Sequence, residues 1–521
     1  MSLSSVTPVL GQAPVARSSA ATDAAALPRW KTPFCAVLAM LFLAGCSSLT
    51  SSYESPQAVA IPSQWSALTS SSQAAQSQSP LLVEALQGAW WRQFDDPVLN
   101  QLIDMALARN SDLVSAAWNL RQAELTLGLT QDRQTPTVGA NAGANTSRNL
   151  DNGTSSRSYS ANVGVSYELD LWGRLSSQTD AAQWRVVASE QDLQSTAVAL
   201  VATVATQYWQ LIYQNEQIVN GLQSLSYLRE AQQLVQVQYD AGGVSGLELQ
   251  EARRSIASQE AELAQLRQAR QSSRNALAVL LQLPPSDQSL EQILPLTRIA
   301  LPTADVPELP AGIPAEVLAR RPDVHAAESR LRATLADGDA IRASYYPTFS
   351  LTAGLGSASN SLSQWLSNPI GSLGASLTLP FLQHTQMRLN NAVSRATYEA
   401  ALNGFERTLL TALQEVEDAL GAREQLSQQR QWLQEQLDAA DRVQDINEVR
   451  YRTGATSLRV WLDAQEARRN AQLALSANRF NQLSNQLTLY KALGGDTQLP
   501  TPQVPSVQEL IDAAAHNTVL P

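Results

Sequence analysis

Four stretches of this chain alternate apolar and polar residues with a period of two. Across 160–174, Ala161, Val163, Val165, Tyr167, Leu169 and Leu171 are apolar, while Ser160, Asn162, Gly164, Ser166, Glu168 and Asp170 are polar or bare backbone. The same alternation sets Val138, Ala140, Ala142 and Ala144 against Gly139, Asn141, Gly143 and Asn145, and Phe349, Leu351, Ala353 and Leu355 against Ser350, Thr352, Gly354 and Gly356. It returns in Leu373, Ala375, Leu377, Leu379 and Phe381 against Ser372, Gly374, Ser376 and Thr378. This period predicts four strands with one apolar and one polar face each. Their length, about ten residues, suits a strand that crosses a bilayer, although a half-buried sheet over a soluble core carries the same pattern. If lipid covers the apolar face, four strands cannot close a barrel, and open edges have no water to bond. Further copies must then complete the sheet, and a passable channel favours three over two. Tyr167, Trp172, Tyr345 and Tyr346 at the strand ends suit an interfacial girdle.

The remaining pattern is helical. Arg174 to Tyr239 and Met387 to Tyr451 run without proline, and each would span roughly 100 Å as a helix. Gly242 and Gly454 follow as hairpin turns, where a helix C-cap needs positive φ, and helix resumes to Leu283 and Leu493. Leu409, Leu413, Val416 and Leu420 form the seam of an antiparallel coiled coil. Shorter helices are expected over Val98 to Thr130 and Ala315 to Ser344.

The order helix, strand, loop, strand, long hairpin occurs twice. Leu107-Ala-Arg-Asn-Ser-Asp-Leu113 returns as Leu318-Ala-Arg-Arg-Pro-Asp-Val324, and Pro136-Thr137 with Ala142-Gly143 returns as Pro347-Thr348 with Ala353-Gly354. Tyr239-Asp-Ala-Gly242 returns as Tyr451-Arg-Thr-Gly454. The expected organisation is a signal at 1–45, a linker at 46–97, a first repeat at 98–294, a Pro-rich linker at 295–314, a second repeat at 315–494 and a tail at 495–521. The fold class is α+β.

Composition narrows the function. A net charge of -11 and a pI near 5.0 exclude a nucleic-acid binder. Arg17, Arg29 and Lys31 precede an apolar run from Phe34 that ends in Leu43-Ala-Gly-Cys46, the order of a secretory signal. Leu-Ala-Gly-Cys resembles the bacterial lipoprotein signal, whose cysteine becomes the lipidated first residue, and Ser47 after it resembles lipoproteins sent to the outer membrane. Cleavage would leave one cysteine, hence no internal disulfide, and a charge of -11 - 2 = -13. His325, His384 and His516 are scattered and no metal or phosphate-loop motif is present. No enzymatic activity, metal or cofactor is expected beyond lipid on Cys46, and Glu415, Glu417 and Asp418 read as a solvated helix face.

Glu168-Leu-Asp-Leu-Trp-Gly-Arg174, Arg320-Arg-Pro-Asp-Val324, Tyr345-Tyr-Pro-Thr-Phe349, Glu415-Val-Glu-Asp-Ala-Leu420 and Tyr451-Arg-Thr-Gly454 resemble the TolC-like outer-membrane factors, in their OprM/NodT branch. The resemblance implies a homotrimer with a twelve-stranded outer-membrane β-barrel, four strands per protomer, continued by a long periplasmic α-helical barrel. It implies the exit duct of a tripartite efflux system, docking through tips at Gly242, Gly243 and Gly454 onto a periplasmic adaptor and an inner-membrane RND-type transporter. It further implies a periplasmic gate at Arg459 and Asp463, with Tyr451 and Glu248 as latch partners. Two departures stand out. Arg459 is spaced to pair with Asp463 on one helix face, which would neutralise a carboxylate ring, and Phe381-Leu-Gln-His-Thr-Gln386 lacks the glycine of Trp172-Gly173. Type I protein secretion and a periplasmic adaptor lipoprotein are the alternatives; an adaptor predicts one hairpin with soluble β-domains, and a lipoprotein whose sheet packs internally predicts solubility without detergent.

Overall fold

The computed structural model describes residues 50–53, 89–285, 293, 300–302, 320–364, 367–495 and 499–516. The signal, Cys46 and residues 315–319 of the expected second-repeat helix lie outside them. After a 3-10 turn at Trp90–Phe94, the helices are α1 (Pro97–Arg109), α2 (Ser111–Asp132), α3 (Arg174–Asp240), α4 (Gly246–Leu280), α5 (Pro322–Ala343), α6 (His384–Arg452), α7 (Leu458–Ala492) and α8 (Val507–His516). The strands are β1 (Thr137–Arg148), β2 (Ser155–Leu169), β3 (Thr348–Ser359) and β4 (Pro369–Thr378). No described helix is long and apolar enough to cross a membrane.

The sheet runs β1-β2-β3-β4, antiparallel throughout, so a hairpin from each repeat meets at the β2–β3 pair. The register aligns like with like. Val138, Val165, Ala353 and Leu373 form one row across all four strands, and Ala140, Val163, Leu355 and Gly371 another. Gly139, Gly164, Gly354 and Ser372 lie between them, and Thr137, Ser166, Thr352 and Gly374 flank the first. Because side chains alternate across a strand, this gathers the apolar rows on one face. Among the described residues nothing covers that face: Val138 is 71%, Leu355 72% and Leu373 90% exposed. Every residue of β1 and β4 is exposed.

Several expected boundaries shift, each for a local reason. The single helix expected from Val98 breaks at Asn110, whose backbone is extended (φ -59°, ψ 130°) and whose Oδ1 accepts from the N–H groups of Asp112 and Leu113 at 3.0 and 3.2 Å, capping a second helix. β2 starts earlier and stops at Leu169, so Leu171 leaves the strand: Gly173 takes φ 74° and the Asp170 carboxylate accepts from the amides of Leu175 and Ser176. β4 ends at Thr378, and Pro380–Leu382 form a 3-10 turn in place of the glycine turn, which takes Phe381 out of the strand.

The long helices match expectation closely. α3 and α6 have 67 and 69 residues. Each ends in a Schellman motif: Gly242 (φ 74°) donates to the Tyr239 carbonyl and Gly243 to Gln238, while Gly454 (φ 76°) donates to Tyr451 and Ala455 to Arg450. α4 stops at Leu280, short of Leu283, because Gln282 adopts the same positive φ without a glycine (57°). The main core lies where α1, α2, α3, α4, α6 and α7 converge. Leu99, Leu102, Leu113, Val204, Leu277, Val416 and Leu487 are buried there, each stabilising by about 1.5–3 kcal/mol if fully transferred from water. Leu409, Val416 and Leu420 of the expected seam belong to it, with Leu413 packed against it. Trp90 stacks on Tyr490 at 4.7 Å and closes one side.

The repeats also share a long-range joint. Asn110 Nδ2 donates to the carbonyl of Leu280, the last residue of α4, at 3.0 Å. Its counterpart Arg321, with nearly the same backbone (φ -66°, ψ 123°), donates through Nη1 to the carbonyl of Ala492, the last residue of α7, also at 3.0 Å. Each thus satisfies an orphan carbonyl at a helix end. Arg321 is buried and also pairs with Asp323 and with Glu415 on α6, each at 2.7 Å. Glu415 is therefore an ion-pair partner rather than part of a solvated face. Burial opposes the charge on Arg321, but its two carboxylate partners prevail and hold its pKa up. Burial likewise acts to raise the Asp323 pKa, and the guanidinium overcomes it, leaving the carboxyl below its ordinary value.

Candidate channel entrance

The candidate site is the tip region of the two hairpins, α3–α4 and α6–α7. A small core joins them: Ala231 and Val235 from α3, Leu249 and Ala252 from α4, Tyr451 from α6, Leu458 and Trp461 from α7. Tyr451 stacks on Trp461 with ring centroids 5.2 Å apart, and its hydroxyl donates to Gln238 Oε1 of the other hairpin at 2.9 Å. Burial raises the Tyr451 pKa and the Glu248 charge raises it further, so Tyr451 is a neutral donor at physiological pH.

The four gate candidates fall into distinct environments. Tyr451 is buried between the hairpins. Glu248 is solvent-facing at the start of α4, where it closes a capping box: its carboxylate accepts from the Ser245 amide at 3.1 Å and from the Ser245 hydroxyl. Those hydrogen bonds hold its carboxyl below the usual range. It influences Tyr451 through charge, without a hydrogen bond. Arg459 and Asp463 do form an i,i+4 pair, at 3.8 Å with side chains 76% and 74% exposed. The second tip lacks the capping box, since Ser457 makes no side-chain cap and Val460 occupies the position matching Glu248.

Of the three tip glycines, Gly242 and Gly454 are required by their positive φ, whereas Gly243 is not among the positive-φ residues and matches Ala455 of the second tip. Three participants escaped the sequence reading: Trp461, Gln238 and Arg469. Trp461 lies ten residues after Tyr451 in a different helix, and no local spacing signals that they stack. Arg469 and Gln238 sit in Gln- and Arg-rich helix where nothing distinguishes them from solvated positions.

Arg459 and Asp463 line a groove of about 280 Å³ between α3, α4 and α7 that also holds Glu262, Glu466 and Arg469. Arg469 is half-buried, with Nη1 2.8 Å from both carboxylate oxygens of Glu262 on α4 and Nη2 2.7 Å from Glu466 on its own helix. The Arg469 hydrogen bond is the first cause of the lowered Glu466 pKa.

A sheet with an uncovered apolar face, joined to paired helices about 100 Å long that end in a polar tip region, defines an outer-membrane duct protein. A family model described as outer membrane efflux protein matches residues 102–281 and 313–495, and the chain belongs to that family. It is 35% identical over 471 residues to the probable efflux pump outer membrane protein TtgC of Pseudomonas putida, covering 87% of this chain and 93% of that one. It is 32% identical over 424 residues to the pyoverdine export outer membrane protein OpmQ of the same species, covering 79% and 89%. Among solved structures, the outer-membrane channel OprN superposes with a TM-score of 0.77 at 28% identity, over 86% of this chain and 99% of that one. The protein is an efflux channel of the outer membrane.

Proposed function

We propose that three copies of this chain assemble into one duct: a twelve-stranded β-barrel in the outer membrane, four strands per copy, continued by an α-helical barrel through the periplasm. The observation that carries this reading is the sheet, with an apolar face exposed from Val138 to Leu373 and two unpaired edges, β1 and β4. Lipid accounts for the face, and neighbouring copies account for the edges. The hairpin tips, with Gly242, Gly243 and Gly454, dock a periplasmic adaptor beneath an inner-membrane transporter of the RND type. The entrance is gated near Arg459 and Asp463, with Tyr451 at the contact between hairpins and Glu248 acting on it through charge. Lipid on Cys46 anchors the amino terminus, and several acyl chains make that anchor firm, since each buried methylene adds about 0.8 kcal/mol.

The duct carries small molecules passively and performs no catalysis. Relatives named for an efflux pump and for pyoverdine export support small cargo over secreted protein. The test is reconstitution: purified protein in liposomes makes them permeable to small solutes once the entrance is opened. Liposomes that stay sealed with every variant of the entrance refute the duct.

A further inference from the structure

The apolar face of the sheet carries charge at one end only. Alternation places on the face of Val138 and Leu373 the even residues of β1 and the odd residues of β2, β3 and β4. Among those strand residues Arg148 and Arg157 are the only charged ones. Both are exposed, and they flank the turn at 149–154, at the opposite end of the sheet from Asp132 and Arg174, where helix joins strand.

The register makes them neighbours. Arg148 lies opposite Ser155 and Arg157 opposite Thr146, so the two form a diagonal pair on one face, roughly 7–8 Å apart at the backbone. The turn holds that register: the Asn149 amide donates to the Thr154 carbonyl at 2.8 Å, and Gly153 (φ 70°) donates to the Asn149 carbonyl at 3.0 Å. The Asn149 and Asn152 side chains accept from the amides of Asp151 and Thr154 at 2.9 and 3.1 Å. Among the described residues no carboxylate pairs with either arginine, Asp151 of the turn included. Two like charges side by side are unfavourable alone, and a shared anion relieves them.

Their depth follows from the same face. Tyr167 and Tyr159 stand on it eight residues apart, about 27 Å along a strand and about 20 Å across a bilayer at the usual tilt of about 40°. They bracket Val165, Val163 and Ala161 as two aromatic girdles. Arg157 is one pleat beyond Tyr159, about 5 Å farther out, at headgroup depth. Tyr159 pairs with Ser359 at the end of β3, whereas Arg157 pairs with β1 alone, which leaves the arginines open sideways.

We infer that Arg148 and Arg157 form a binding site for the phosphates of lipopolysaccharide, the phosphorylated glycolipid of the outer leaflet, one site per copy around the barrel. A guanidinium offers parallel N–H donors to phosphate oxygens, and two of them at this spacing grip one phosphate from both sides. The inference rests on reading the sheet as part of an outer-membrane barrel with its helices in the periplasm.

The test is native mass spectrometry of the purified, full-length assembly in detergent, titrated with lipid A bearing two phosphates. Arg148→Gln with Arg157→Gln weakens its binding about tenfold, or about 1.4 kcal/mol. Lipid A stripped of phosphate binds wild type and double variant alike, and inorganic phosphate at the same concentration does not displace the phosphorylated lipid. Arg395→Gln, on the exposed surface of α6, leaves binding unchanged. The site is refuted if a correctly assembled double variant binds phosphorylated lipid A as well as the wild type, or if the wild type binds both forms of the lipid equally. Displacement by inorganic phosphate refutes the lipid as the occupant. A monomer that needs no detergent overturns the barrel itself, so the two failures are distinct.

Discussion

Replacing Arg321 tests the joint that fastens the second repeat. Arg321→Ala removes a 3.0 Å hydrogen bond to the Ala492 carbonyl and two 2.7 Å ion pairs, from a side chain only 5% exposed. Breaking a fully buried pair costs about 3–5 kcal/mol. Here the abandoned carboxylates of Asp323 and Glu415 are 38% and 37% exposed, and water recovers much of their solvation. A loss of about 2–3 kcal/mol follows, from one charge-assisted bond to an orphaned helix carbonyl and partly screened pairs. The first repeat supplies a matched rescue. Asn110 makes the same carbonyl contact with the same backbone, and at the repeat offset of 211 its surroundings carry buried Val204 where the second repeat has Glu415. The double change Arg321→Asn with Glu415→Val therefore recovers about half of the loss, a coupling of about 1 kcal/mol. The assay is the thermal midpoint of helical circular dichroism in detergent, read together with unfolding rates because such assemblies unfold irreversibly. An Arg321→Ala protein within about 0.5 kcal/mol of wild type, or a double variant worse than both single ones, refutes the reasoning.

Three other perturbations have defined outcomes. Gly242→Ala and Gly454→Ala each destabilise by about 1–2 kcal/mol because an L-residue must enter the left-handed region, while Gly243→Ala stays within about 0.5 kcal/mol; melts of the three variants separate them. Gly221→Val costs about 1–3 kcal/mol by overpacking, since even its Cβ would stand 2.8 Å from Leu263 Cδ2 in the buried α3–α4 contact, and a melt at wild-type temperature contradicts this. For pH, the Asp323 carboxyl is held below its unfolded value of 3.8, so its contribution is complete above that value and lost as the pH falls through the lower folded pKa. The stability gap between wild type and Asp323→Asn therefore holds near neutral pH and narrows below about pH 4; a gap that persists unchanged into stronger acid contradicts the assignment.

Elements written in periodicity were legible in the sequence, and contacts between distant elements were not. The strands, the two long helices and the glycine turns follow from alternation, the lack of proline and the need for positive φ at Gly242 and Gly454. The errors sat where a side chain overrode the pattern: Asn110 capping a new helix inside an apolar run, Asp170 with Gly173 ending β2, and Gln282 taking a glycine's conformation. At the entrance, the Arg459–Asp463 pair was readable because i,i+4 spacing is local. The Tyr451–Trp461 stack, the Tyr451–Gln238 bond and the Arg469–Glu262 pair join separate helices, and a helix surface rich in Gln and Arg hides which of them meet. The role of Arg321 was half visible: the repeat marked its position, but only folding brought Glu415 to it.

Native mass spectrometry of the detergent-purified protein tests most directly whether copies of this chain pool their strands into one wall. The account predicts a single species of three chains that survives removal of the micelle in the gas phase. A monomer that keeps its four strands, needs no detergent and shields Val138, Leu355 and Leu373 within its own fold would contradict it.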